Sequence, residues 1–183
     1  LARMNHAWNW DPEQVQYIAR YLLRLKHETQ TEVYMATWGP KEADTDEARR
    51  EYAALVADTL EAFTGRGADN LKWFCLTNEL SLGQWGSLLG DLPKFRAYHQ
   101  ALYDEFKARG LAIGLLATDA APAGNWGTIE WAVEHMDDIT DVYGGHDYFN
   151  QHPPEDPRFY DWFQARLRTV VDAARGVGKD FIL

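Results

Sequence analysis

Trp73-Phe74-Cys75-Leu76-Thr77-Asn78-Glu79 is an apolar run of strand length that ends abruptly in an amide and a carboxylate. A continuous run of this kind reads as a strand covered on both faces, as in a parallel sheet flanked by helices. Sheets of that type gather their ligands at the C-terminal ends of the strands, so Asn78 and Glu79 are expected to point at a substrate.

On either side of this stretch, helix and strand patterns alternate. Asp11 and Pro12 open an amphipathic helix that runs to His27, with Val15, Ile18, Ala19, Leu22 and Leu25 on its apolar stripe. Glu32 to Trp38 is β-rich and stops at the breaker pair Gly39-Pro40. A helix is expected from about Asp46 to Phe63, buried through Tyr52, Leu55, Val56, Leu60 and Phe63. After the Asn-Glu strand, a helix carrying Phe95, Tyr98, Leu102 and Phe106 ends at Gly110 and feeds a strand from Leu111 to Ala117. Thr128 is expected to cap a short helix, Asp141 to Phe149 to form the next strand, and Phe159, Phe163, Leu167, Val170, Val171 and Ala174 to line the last helix. Lys179 to Leu183 begins one more strand.

Five strands in strict alternation with five helices imply parallel strands joined by helical crossovers. Thr37-Trp38-Gly39-Pro40 stands where a dinucleotide-binding sheet would carry its Gly-rich turn, so the pattern favours a closed barrel over a doubly wound sheet. The expected fold is α/β, a (β/α)8 TIM barrel. A complete barrel typically needs ~250 residues. The 183 residues are therefore expected to form one incomplete barrel domain, about strands 3 to 7, truncated at both ends. In such a piece Val33, Phe74, Ile113 and Val142 are expected to face inward and to lack cover, with missing barrel segments needed for completion.

Composition narrows the partners. The chain is 46% hydrophobic and 25% charged, and it holds no apolar stretch long enough to span a bilayer. Its 18 basic and 28 acidic residues leave a net charge of −10, with Lys and Arg scattered rather than massed, so neither nucleic acid nor membrane is an expected partner. Cys75, the one cysteine, lies inside the apolar run, reads as a small buried hydrophobe and excludes an internal disulfide. Nothing in the sequence assigns a localisation.

The polar residues at successive strand ends are Trp38, Asn78 and Glu79, Asp119, and His146-Asp147-Tyr148. Flat aromatic faces stack on pyranose rings while carboxylates and amides bond the hydroxyls, so this set reads as a sugar site. Trp8, Trp10, Trp38, Trp85 and Trp126 fall at apparent loop positions, whereas Trp73, Trp131 and Trp162 are assigned to the core.

Thr77-Asn78-Glu79 at one strand end, with His146-Asp147-Tyr148 two strands later, resembles the clan A retaining glycoside hydrolases. The resemblance implies hydrolysis of β-linked oligo- or polysaccharide without a cofactor or metal. Carried over, Glu79 matches the acid/base, Asn78 the amide that bonds the sugar 2-hydroxyl, and His146 and Tyr148 the pair beside the nucleophile. Asn5 and His6 match an earlier strand end and, with Trp8 and Trp38, complete the expected substrate-binding set. Leu80 departs from the Pro that many relatives carry after Asn-Glu. The nucleophilic glutamate is expected just after Leu183, and the isolated chain is expected to be inactive. Retaining hydrolysis needs one protonated carboxyl group and one ionised carboxylate about 5–5.5 Å apart.

Two other readings stay open. Glu79, Asp119, His146 and Asp147 suit Mg²⁺ or Mn²⁺ in a metal-dependent sugar isomerase. Because His146 and Asp147 are adjacent on a strand, they are expected to face opposite ways. The third reading is a carbohydrate-binding barrel without catalysis.

Overall fold

The computed structural model of the chain describes residues 1–5, 11–41, 44–148 and 157–183. Its strands are β1 (Ala2–Asn5), β2 (Val33–Ala36), β3 (Leu71–Cys75), β4 (Gly114–Ala120), β5 (Val142–Gly145) and β6 (Asp180–Ile182). The helices between them are α1 (Pro12–Arg24), α2 (Asp46–Thr64), α3 (Leu92–Arg109), α4 (Gly127–Met136) and α5 (Pro157–Gly176). All neighbouring strands pair parallel, in the order β1-β2-β3-β4-β5-β6.

This architecture corrects the expected TIM barrel of five strands. Six strands form an open, all-parallel sheet curved into a half-barrel, and β1 and β6 are its edges among the described residues. Strand-helix alternation dictates parallel pairing of sequential neighbours, but it carries no information about closure, which needs a first-to-last pairing. The additional strand is β1, whose four residues, with Arg3 among them, present no apolar run to read.

Strand alternation places two apolar faces back to back. Val33, Met35, Phe74, Leu115, Ala117 and Tyr143 join the main core with the helices. Tyr34, Ala36, Cys75, Leu116 and Val142 form a second cluster on the other face, joined by Trp73 and Ile182. The expectation that Val33, Phe74, Ile113 and Val142 lack cover is corrected: each is at most 5% exposed. Val33, Phe74 and Ile113 pack with the helix-covered core rather than with the second cluster.

The helices follow their sequence signals closely. Asp11 caps α1 by accepting the Glu13 N–H at 2.7 Å, with Pro12 at the first helical position. Asp91 caps α3 through the Lys94 N–H, and Gly110 ends it at φ 66°. Phe95, Tyr98, Leu102 and Phe106 are all buried, as their spacing requires. Differences arise where tertiary contacts decide. Leu55 is exposed, and the predicted cap Thr128 lies inside α4. β4 starts at Gly114 rather than Leu111, because the Leu111 N–H closes the end of α3 on the Phe106 carbonyl. That shift places Asp119 within β4. No described helix is long and apolar enough to cross a membrane.

Candidate active site

The ladder of β3 stops at Cys75, and the next four residues carry the chain into the mouth of the sheet. Thr77 donates its hydroxyl to the Thr118 carbonyl at 2.8 Å, tying this exit to β4. Glu79 adopts a left-handed backbone, φ 52° and ψ 44°, and its N–H donates to the Asp119 carbonyl at 3.0 Å. A non-glycine residue held in this region costs of order 1–3 kcal/mol and persists where surrounding contacts over-determine it. Those contacts are specific. The Ser87 hydroxyl accepts the Asn78 N–H at 2.7 Å, and the Ser87 N–H donates to the Asn78 carbonyl at 3.0 Å. Ser81 donates its hydroxyl to the Ala121 carbonyl and accepts the Ala121 N–H, at 2.6 and 2.9 Å. Gly86 lies against the Glu79 carbonyl so closely that a Cβ there would stand 2.0 Å from the oxygen.

Side chains from β1 and from the ends of β3, β4 and β5 then meet. Arg3 donates Nη2 to the Asn78 amide oxygen at 2.5 Å and pairs with Asp119 through Nε at 3.2 Å and Nη2. Because Arg3 takes the Asn78 oxygen, the amide nitrogen is left to donate. Asp119, 1% exposed, is also 3.2 Å from His146 Nδ1. His146 Nε2 is 3.0 Å from Glu79 Oε1, and the Tyr148 hydroxyl donates to the same oxygen. The His146 and Tyr148 rings meet edge to face at 5.4 Å. Among the described residues both partners of the Glu79 carboxyl group thus sit on Oε1.

Electrostatics follow this geometry. Burial disfavours the His146 cation, yet the hydrogen bond and charge of Asp119, with the Glu79 hydrogen bond, outweigh it and hold its pKa above the ordinary value. The Tyr148 phenol is pushed up to about 12, chiefly by its hydrogen bond to Glu79, and stays a donor at neutral pH. Burial, then the charge of Asp119, pushes the Cys75 thiol up to about 12, which keeps it unreactive.

The structure thus brings Asn78, Glu79, Asp119, His146 and Tyr148 together, as the strand-end reading anticipates. Asn5 closes β1, whereas His6, Trp8 and Trp10 lie outside the described residues. Trp38 stands 46% exposed at the end of β2, and Trp85 is 76% exposed. Trp126 lies in the turn before α4, as expected, but it belongs to the core: it is fully buried, donates Nε1 to the Ala120 carbonyl at 3.1 Å and packs on Phe163 and Phe181. Trp162, assigned to the core, is 45% exposed. Leu80 fills the core with its side chain.

Asp147, like His146, lies beyond β5, which ends at Gly145 and not at the expected Phe149, so strand alternation does not set its direction. Its carboxylate accepts the N–H groups of Ala123 at 3.2 Å and Tyr148 at 2.7 Å. Among the described residues no group of three or more His, Cys, Asp or Glu side chains is arranged to hold a metal ion.

Sequence reasoning missed Arg3, Ser81 and Ser87. The only signal for Arg3 was a cation inside a short β-compatible stretch, and the serines carried none. Comparison of the sequence with protein-family models and with curated proteins gives no match.

Proposed function

We propose that this chain carries the acid/base side of a retaining glycoside hydrolase site for β-linked oligo- or polysaccharide, as its resemblance to clan A enzymes implies. One observation carries the reading. Among the described residues His146 and Tyr148 both engage Oε1 of Glu79, so Oε2 is the oxygen left to hand a proton to a leaving glycosidic oxygen. Asn78, oriented by Arg3, offers its amide N–H groups to a neighbouring sugar hydroxyl. Both features suit a group that must donate in one step and accept in the next.

The reaction needs a second carboxylate, ionised and about 5–5.5 Å from the first. Asp119 does not fill this role, because Arg3 and His146 already engage it. The proposed nucleophile is a glutamate just after Leu183. Strand register supports that position: Gly144 pairs with Ile182, so a residue following Leu183 in the same register would come alongside His146.

In the proposed cycle Glu79 protonates the leaving oxygen while the nucleophile attacks the anomeric carbon. Glu79, now ionised and accepting from Tyr148 and His146, then takes a proton from the water that releases the sugar. No metal or cofactor enters these steps. The test is the anomeric configuration of the first product, followed by ¹H NMR during cleavage of a β-linked oligosaccharide by the full-length protein. The β-anomer is expected to appear first. Initial release of the α-anomer, or activity lost on chelation and restored by Mg²⁺ or Mn²⁺, overturns the reading.

A further inference from the structure

We propose that the cleft beside this mouth, between the β2–α2 and β3–α3 connections, is a subsite for a pyranose bearing an anionic substituent, a carboxylate or a sulfate ester. The proposal rests on the reading of the mouth as a carbohydrate site and names the chemical class of sugar.

The cleft has a volume of about 770 Å³, with Trp38, Lys41, Ser87, Leu88, Leu89 and Lys94 among its lining residues. That is ample room for one sugar ring, within the ~300–1,000 Å³ range usual for ligand clefts. Three features mark it as more than a surface depression. First, Trp38 keeps its indole half in solvent instead of burying it, which provides a flat apolar face of the kind that stacks on pyranose C–H groups. Second, Leu88 and Leu89 both hold left-handed backbones at φ 55°, and Leu89 is 75% exposed. Backbone strain of this kind clusters at ligand sites. Packing explains part of it: the Leu88 side chain lies where a Cβ on Gly39 would meet it at 3.1 Å. The exposed Leu89 gains no such burial. Third, the cleft is joined to the mouth covalently and by hydrogen bonds, since Ser87 in its wall makes the reciprocal pair with Asn78.

Charge sets the class of sugar. The chain carries a net charge of −10, yet Lys41 and Lys94 both border this cleft. Asp91, also in the wall, caps α3 through the Lys94 N–H, so the partial positive charge of the helix start offsets its carboxylate. Lys94 holds its ammonium 5.8 Å from the Tyr98 ring centroid. At physiological salt, charges beyond about 8 Å are largely screened, so an anion in the cleft feels these lysines rather than the acidic surface as a whole.

The experiment is an NMR titration of the ¹⁵N-labelled full-length protein with methyl β-D-glucoside, methyl β-D-glucuronide and methyl β-D-glucoside 6-sulfate. We expect an anionic glycoside to shift the Trp38 indole and the Lys41 and Lys94 amide resonances, binding about tenfold more tightly than the neutral one. A stronger response to the glucuronide assigns a carboxylate, and to the sulfate a sulfate ester. The preference should shrink in 0.5 M NaCl and approach onefold in Lys41→Met/Lys94→Met, a pair that keeps the aliphatic stems. Equal binding of charged and neutral sugars overturns the charge selection and leaves the carbohydrate reading standing. Shifts confined to residues around Glu79 overturn the subsite alone. No response anywhere to any of the three sugars overturns the subsite and counts against the carbohydrate reading as well.

Discussion

His146 joins Glu79 to Asp119 through its two ring nitrogens, Nε2 at 3.0 Å from the first carboxyl group and Nδ1 at 3.2 Å from the second. The second carboxylate is bound by Arg3 and buried, so it is the fixed end of the relay. Its acceptor holds a proton on Nδ1 and directs Nε2 at Glu79.

Replacement of Asp119 by Asn should therefore lower the His146 pKa, since Asp119 provides the largest influences that raise it. Activity should fall about tenfold or more, the order typical when a partner that orients a site histidine is removed. Titration of the His146 ring protons by NMR, alongside the pH profile of kcat/KM, checks both. An unmoved histidine titration would show that Asp119 serves only the Arg3 pair.

Gly86→Ala should displace Glu79 without touching its side chain, because the added methyl group would stand 2.0 Å from the Glu79 carbonyl. Overpacking of this kind typically costs about 1–3 kcal/mol. A displacement of 1 Å at a reacting group can cost ~10²-fold in rate. Denaturation midpoints and kcat measured on the same preparation separate the two effects. Wild-type values for both would show that this close approach does not constrain the loop.

His99 predicts an acid-sensitive core. Burial lowers its pKa to about 4; Nε2 meets the Ile139 carbonyl at 3.0 Å while Nδ1 has no hydrogen-bond partner among the described residues. Between about pH 6.5 and pH 4 the unfolded chain binds a proton there that the folded chain does not, so stability falls as pH falls through that window. The loss at the acid end is roughly 3 kcal/mol. His99→Leu should remove this part of the slope, whatever it does to stability at neutral pH. Urea midpoints at several pH values test it, and an unchanged slope in the variant would assign the acid sensitivity elsewhere.

The parts legible in the sequence were those encoded locally. Phe95, Tyr98, Leu102 and Phe106 share a face because the helical repeat places them there, and Asn78-Glu79 stood out because a buried run ended in two polar groups. What joins the site together is not local. Arg3 meets Asn78 and Asp119 across 75 and 116 positions, a pairing that only the β1-β2-β3-β4 order brings within reach. Trp126 sits between a loop and a helix in sequence, yet its indole N–H finds the Ala120 carbonyl and can be buried without loss of a hydrogen bond. Closure of the sheet was likewise beyond a local pattern, since open and closed parallel sheets share the same alternation.

The proton-donor assignment stands or falls with Glu79→Ala in the full-length protein, assayed on a β-linked oligosaccharide and on an activated aryl β-glycoside, with and without azide. Loss of a general acid typically costs about 10²–10⁴-fold. Cleavage of the oligosaccharide should collapse by that order. The aryl glycoside, whose leaving group needs little protonation, should regain turnover in azide and yield a β-glycosyl azide. Undiminished cleavage of the oligosaccharide, or an α-glycosyl azide, would contradict the role of Glu79 as acid/base in a retaining reaction.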